Sequence, residues 1–349
     1  MSIRTLRLVF TVLLAGGTIG VSAFQKPAPA NATTRAVAAA EAFLATLDQV
    51  QRAKANLALN ASTRTVWSNL PTGIAMQVGA TERNGVKLGQ MTAVQEKAAL
   101  ALMASVLSRN GFEKAMAIVD ADQLLETRSA PSRPAATATR FGRAEYYVSI
   151  LGTPSTSGRW MIQFGGHHLA INVAFAGGGS VLTPTHTGTQ PASYTVDGRT
   201  IRPLGDENDK AFALINALNA EQRKQAILGF EVRNLVLGPG TDGKTIAPEG
   251  VRASAFTSAQ RTMLLDLVHE WVGILGDDTA AAKMKEVEAG FGDTYFAWAG
   301  ATENGKGAYF RIQGPAMLIE YAPQNNGVDH IHTIYRDPTN DYADKATGR

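Results

Sequence analysis

The stretch that decides the fold occurs twice, as YVSILGTPSTSGRWMIQFGGHHLAINV at residues 147–173 and as YFAWAGATENGKGAYFRIQGPAMLIEY at residues 295–321. At a constant offset of 148 residues (295 − 147), Tyr147 meets Tyr295, Gly152 meets Gly300 and Gly166 meets Gly314. Each copy reads as a strand, a Gly-rich turn, a second strand, and a further extended run after a glycine. Trp160, Ile162 and Phe164 share one parity, as do Phe310 and Ile312. That is the alternation of strands with one face in a core.

Working outward, a second similarity precedes each copy. Residues 85–95 read GVKLGQMTAVQ and residues 250–260 read GVRASAFTSAQ. Each leads into an apolar helical run, EKAALALMASVL or RTMLLDLVHEWV. Thr92-x-x-Gln95 and Thr257-x-x-Gln260 have capping-box spacing, in which the hydroxyl accepts the N–H three residues on and the glutamine reaches back. Asn219-x-x-Gln222 repeats that start. With a slip of one residue, Gln190-Pro191 falls where Asp337-Pro338 stands. The expected fold class is α+β: duplicated helix plus antiparallel β-strand units, about 85–191 and 250–338, sharing one core with the helices beside the sheet. Helix does not alternate with parallel strand, so a doubly wound fold is disfavoured.

Composition sets outer limits. The chain has 349 residues, 45% hydrophobic and 18% charged, which suffices for a sizeable core and excludes wholesale disorder. The absence of cysteine removes disulfide scaffolds, iron–sulfur clusters and thiol catalysis. Residues 1–23 carry Arg4 and Arg7, an apolar run, and the small-x-small pattern Val21-Ser22-Ala23, the three-part form of a secretory signal peptide. Residues 24–32 then read as a linker and 33–349 as the α+β domain, with Thr33 or Thr34 capping the first helix. The expectation is an exported, periplasmic or secreted protein with no membrane attachment after cleavage. Losing Arg4 and Arg7 takes the net charge from +3 to +1, so nothing argues for nucleic acid. Residues 128–142, RSAPSRPAATATRFG, read as a surface loop or joint.

The chemistry gathers at histidine. Of six histidines, four form two tight clusters, Gly-Gly-His167-His168 and His330-Ile-His332. Residues i and i+2 of a strand share a face, so His330 and His332 point together, about 7 Å apart at the backbone. His168 shares a face with Asn172, and the repeat places Asn172 where Glu320 stands. The turn-rich link PQNNGVD would bring Glu320 opposite His330 or His332. Two imidazoles and a carboxylate suit zinc, or a non-haem transition metal, with a position left for water; a closed site with a fourth protein ligand such as His168 suits copper or zinc. The expected metal ligands are therefore His168, His330, His332 and Glu320. His167 reads as a core histidine, His269 as mid-helix packing, and His186 as an exposed loop residue. Tyr335-Arg336-Asp337-Pro338-Thr339-Asn340-Asp341 closes the chemistry. Arg336 either grips an anionic substrate with Asp337 as base, or pairs with Asp337 or Asp341 to pin the tail. Catalytic candidates are Glu320, Asp337 and Arg336. No nucleophile elbow, Walker loop or dinucleotide fingerprint is present.

Gly166-His167-His168-Leu169-Ala170-Ile171-Asn172, Thr183-Pro184-Thr185, Phe296-Ala297-Trp298-Ala299-Gly300 and His330-Ile331-His332-Thr333 through Tyr342 resemble the domain of unknown function 3500 family over nearly the whole mature chain. The resemblance implies an exported or bacterial-type protein and implies no activity. Two positions depart from the family pattern: Gln190 stands where the family carries Glu before Pro, and Ala343 where it carries Gly. Three classes of function stay open: a metal-dependent hydrolase with Glu320 or Asp337 moving the proton, a non-catalytic copper- or zinc-binding protein, and a metal-free module binding a small molecule on Trp160 and Trp298; the first is preferred, because the polar cluster from Arg336 to Asp341 follows the histidines so closely.

Overall fold

Helices begin where a side chain can accept the free N–H groups of the first turn. In the computed structural model, which describes residues 31–74, 82–129 and 139–347, Asn31 caps α1 (Ala32–Thr46) and Asp48 caps α2 (Gln49–Ala55). The first helix starts earlier than expected because Asn31, not Thr33 or Thr34, accepts the Thr34 N–H. A single turn, α3 (Ala61–Arg64), follows. Thr92 caps α4 (Ala93–Val106), which leads to α5 (Arg109–Ser129). After α6 (Gly205–Ala217), Asn219 caps α7 (Ala220–Ala226), Thr257 caps α8 (Ser258–Val272), and α9 is Asp277–Ala289. The boxes at Thr92, Asn219 and Thr257 form as their spacing predicts. Their glutamines do more than cap. Gln51 and Gln95 exchange amide hydrogen bonds at 3.2 and 2.7 Å, and Gln222 and Gln260 do so at 3.1 and 3.0 Å. Each exchange locks two helix starts together.

The expected signal segment 1–23, residues 24–30 of the linker and residues 130–138 lie outside the described residues. All described residues belong to the unit Asn31–Arg349. Among them, no helix is long and apolar enough to cross a membrane.

The strands are β1 (Asn56–Leu57), β2 (Val86–Lys87), β3 (Tyr147–Gly152), β4 (Trp160–Gly166), β5 (Leu169–Ala176), β6 (Gly179–Val181), β7 (Thr185–Thr189), β8 (Tyr194–Val196), β9 (Arg199–Ile201), β10 (Val251–Arg252), β11 (Tyr295–Gly300), β12 (Ala308–Gly314), β13 (Met317–Pro323) and β14 (Ile331–Arg336). All but the β8–β9 ribbon join one sheet, ordered β1-β3-β4-β5-β7-β14-β13-β12-β11-β10, with β2 beside β3 and β6 beside β5. Among the strand pairs of the described residues, only β1–β3 is parallel; an isolated parallel bridge also joins Ile227 to Trp298. The fold is α+β. The stretches flagged in the sequence run through one order of elements: β2, α4, α5, β3, β4, β5, and then β10, α8, α9, β11, β12, β13. Val86 lies opposite Val148 and Val251 opposite Phe296. Gly85 and Gly250 precede these pairs at φ +109° and +100°, where a Cβ would run into the Val148 or Phe296 carbonyl.

One face of the sheet carries the helices and the main core, with Trp160, Phe164 and Ile171 from one side and Phe296, Trp298 and Phe310 from the other. Trp160 and Trp298 are wholly buried, their indole N–H groups donating to the carbonyls of Ser155 and Ala301. They are core, not the ligand surfaces the sequence suggested. Seven strands, β2 and β6 among them, lie on the β7 side of the β7–β14 junction and five on the β14 side. There Thr187 opposes Thr333, their hydroxyls 2.6 Å apart, and the Trp271 indole donates to Thr333 Oγ1 at 2.9 Å. Irregular chain covers the other face. Leu235 and Leu237 pack on Leu318, Tyr309 and Ile334, and Trp67 adds to the same cover. The histidines lie under this cover.

Candidate metal centre

The first histidine pair forms a hairpin loop. Gly166 pairs with Leu169, so His167-His168 is the two-residue link between β4 and β5. His168 sits at φ 64°, a left-handed backbone that a non-glycine residue occupies at a cost. Several contacts hold it there. The His168 N–H donates to the Asn69 carbonyl at 3.1 Å, and the Tyr146 hydroxyl donates to the His167 carbonyl at 2.7 Å. His167 Nδ1 lies 2.6 Å from Asp122 Oδ1, and the other Asp122 oxygen accepts the Gly142 N–H. The His167 ring stacks on His168 with centroids 3.6 Å apart.

The second pair comes from β14. His332 lies opposite Gly188 of β7, and His330 immediately precedes the strand. Gly188 makes the convergence possible. A Cβ there would lie 3.1 Å from His332 Cδ2, 3.2 Å from His168 Cδ2 and 2.8 Å from the Ile331 carbonyl oxygen. The two rings therefore occupy the room that a side chain would take. His330 Nε2 stands between them, 2.8 Å from His168 Nε2 and 3.2 Å from His332 Nε2.

Three imidazole nitrogens facing one another need a proton or a cation between them. Asn234 Oδ1 already accepts from Leu235 N and Gln324 Nε2, so His332 Nδ1, 3.4 Å away, is the donor there. That leaves His332 Nε2 as a lone pair aimed at His330. Burial, reinforced by the neighbouring imidazoles, depresses every basicity in the group. It holds His330 at about 4, His332 at about 2 and His168 well below the usual value. The rings are neutral at pH 7, the form that ligates metals. Two nitrogens about 2.0–2.1 Å from one zinc ion, at angles of about 90–110°, lie about 2.8–3.4 Å apart. Both contact distances fall in that window. The ligand atoms of His168, His330 and His332 all lie within 4.8 Å of one another, as do those of Asp122, His167 and His168.

A family model described as Protein of unknown function (DUF3500) matches residues 29–344. The chain belongs to the DUF3500 family. No curated protein and no solved structure matches it. Both histidine motifs that carried the resemblance supply rings to the cluster of this DUF3500 protein.

The other expected site residues of the DUF3500 chain lie elsewhere. Glu320 is fully buried, but it faces the covering segment: it accepts from the N–H groups of Val236 and Leu237 at 2.9 and 2.7 Å and from the Tyr309 hydroxyl at 2.6 Å. Its strand partner is Ile334, while Ala322 stands opposite His332. Glu320 is thus removed from the ligand set by two positions of register. Arg336 is buried and bonded to Asp242, Asp341 and the carbonyls of Leu237 and Gly238. Asp337 takes Lys283 at 2.6 Å and both donors of Thr339. These contacts match the tail-pinning alternative and leave neither residue at the histidines. Asn172 accepts from Gln163 Nε2 and donates to the Pro184 carbonyl.

His186 is a correction. It is not an exposed loop residue but a wholly buried member of β7, between Ile334 and Ala170 of the flanking strands. Its ring lies 5.2 Å from that of His332. Among the described residues neither of its ring nitrogens has a hydrogen-bond partner, an omission that costs about 1–3 kcal/mol for a buried polar group. Burial holds its basicity down to about 3. Ring contacts thus link five of the six histidines, His167, His168, His186, His330 and His332. His269 stays apart, in the last turn of α8 against Gly273. Sequence reading missed His186, Gly188, Asn234 and Asp122. The signal for His186 was its place: it precedes Thr187 as His332 precedes Thr333.

Proposed function

We propose that this protein binds one late first-row transition-metal ion, zinc or copper, through His168, His330 and His332, and that it works outside the cytoplasm. The observation that carries the reading is the pair of Nε2 separations, 2.8 and 3.2 Å, among three neutral imidazoles, His168 and His332 buried and His330 half-buried. An all-nitrogen set favours zinc, copper and nickel over magnesium or calcium. Export rests on the signal-like residues 1–23. Binding is favoured over hydrolysis as the role of the ion. A hydrolase needs a proton carrier beside the metal-bound water, and the carboxylates expected to serve, Glu320 and Asp337, are committed to other donors.

The test is elemental analysis of protein purified without a histidine tag, as isolated and after incubation with Zn²⁺ or Cu²⁺ at neutral pH. About one equivalent is expected, and none for His332→Ala. Wild-type protein that takes up neither metal, or a His332→Ala variant that keeps the full equivalent, overturns the reading.

A further inference from the structure

Strand parity divides β14 between two faces of the sheet. His332 and Arg336 meet the covering chain at Asn234 and Leu237, while Thr333 and Tyr335 face the helices, where the Trp271 indole reaches Thr333. On the helix side Tyr335 lines a cavity of about 200 Å³, bounded by the β6–β7 link, the turn between α8 and α9, and the residues after β14. A dry cavity of about 150 Å³ already admits benzene, so this one has room for a single ring. Val181, Leu182, Val272 and Leu275 give it apolar walls.

The charges at its rim are satisfied among themselves. Lys283 Nζ donates to Asp337 at 2.6 Å, to Glu286 at 2.9 Å and to the Ala316 carbonyl at 2.8 Å, which uses all of its protons. The other Asp337 oxygen accepts from the Thr339 N–H and hydroxyl. What remains for a ligand is uncharged. The Tyr335 hydroxyl has no hydrogen-bond partner among the described residues, although the residue is only 2% exposed. Burial, with Asp337, Glu286 and Asp341 nearby, raises its pKa well above the usual phenol value, so it keeps its proton. Asn340 turns its amide oxygen to the Lys345 N–H and leaves its amide nitrogen without a partner among the described residues. Native structures rarely leave a buried hydroxyl idle, and a missing ligand is one recognised reason when they do.

We propose that this cavity binds an uncharged molecule about the size of one ring, with an apolar body and a hydroxyl or carbonyl oxygen that accepts from Tyr335. A charged ligand would enter among apolar walls and ions already paired, with no counter-charge left for it. The site is independent of the metal reading, since His332 projects from the opposite face of the sheet.

The experiment follows the fluorine NMR line widths of 4-fluorophenol, 4-fluorotoluene and 4-fluorobenzoate titrated with the full chain, beside Tyr335→Phe and Ala282→Trp. Ala282 lines the cavity from the exposed side of α9, so an indole there would fill the space without entering the core. The wild type is expected to bind 4-fluorophenol saturably with a Kd of about 1 mM or below, the scale open to a ligand of about eight heavy atoms. It should bind 4-fluorotoluene about 2–10-fold more weakly, the worth of one hydrogen bond, and 4-fluorobenzoate most weakly of all. Tyr335→Phe should erase the preference for the phenol, and Ala282→Trp should abolish binding of both neutral probes. The inference is overturned by a wild type that binds no probe saturably, that holds the phenol and the toluene equally, or that prefers the benzoate. Binding undiminished in Ala282→Trp, or a phenol preference kept by Tyr335→Phe, overturns it as well. The three wild-type titrations decide the matter even if neither variant folds.

Discussion

Replacing Gly188 by alanine tests the packing on which the metal centre depends, without touching a ligand. The added Cβ would stand 2.8 Å from the Ile331 carbonyl oxygen, a distance that real Cβ atoms essentially never show, and 3.1 and 3.2 Å from the Cδ2 atoms of His332 and His168. Carbon atoms rest comfortably at about 3.5–4.0 Å, so each ring must move by about 0.3 Å or more. Metal–ligand distances tolerate only about 0.2 Å. The strand must also ease away from Ile331 at the centre of the sheet. Overpacking of this kind costs about 1–3 kcal/mol. For a domain of this size each kcal/mol moves the melting temperature by about 2–4 °C at most. Gly188→Ala should therefore melt a few degrees lower without metal, and should lose Zn²⁺ affinity by about 10–100-fold, as a disturbed supporting contact does. Thermal melts with and without metal, and competition against a chromophoric chelator, read both quantities. An unchanged melt together with unchanged affinity would refute the claim that the rings occupy the space Gly188 leaves.

Two further outcomes follow. Glu320→Gln should destabilise the fold by about 1–3 kcal/mol, because an amide group would face the N–H donors of Val236 and Leu237, yet it should leave the metal stoichiometry unchanged; loss of the ion in a folded variant would return Glu320 to the ligand set. Acid should destabilise the metal-free protein. His330, His186 and His332 titrate near 4, 3 and 2 when folded and near 6.5 when unfolded, so the unfolded chain binds more protons below that value. Their contribution is complete above about pH 6.5 and is lost as pH falls toward the folded values; a melting temperature that holds steady or rises between pH 7 and 5 would contradict this.

What the sequence made legible was local. The Thr-x-x-Gln boxes, the strand alternation and the shared aim of His330 and His332 each depend on residues within four positions of one another, and each is present. What it hid was register between distant segments. Glu320 lies close to the histidines along the chain, but the turn at Gln324–Asn326, with Asn325 and Asn326 at positive φ, sets a pairing that puts Ala322 opposite His332 instead. Strand register depends on such turns, and polar link residues give no count of it. His186 was missed for a different reason. Thr185-His186-Thr187-Gly188-Thr189 has prolines nearby and reads as loop, although its threonines alternate on one face. It becomes a central strand only because β5 and β14 close on it from either side. His168 belongs to the hairpin link rather than to the strand, and its φ of 64° aims the ring in a way that strand parity does not describe.

The junction at Thr187 and Thr333 gives the centre an order of assembly. His168 and His330 are 162 residues apart in the chain yet contribute adjacent nitrogens. As the chain is synthesised, the hairpin bearing His168 is complete long before β14 exists. Early segments therefore carry at most part of the coordination sphere and have little means of retaining a cation. On the proposed reading, capture would wait until β14 has docked beside β7, and a bound ion would certify that the last strand to be made has found its place at the middle of the sheet.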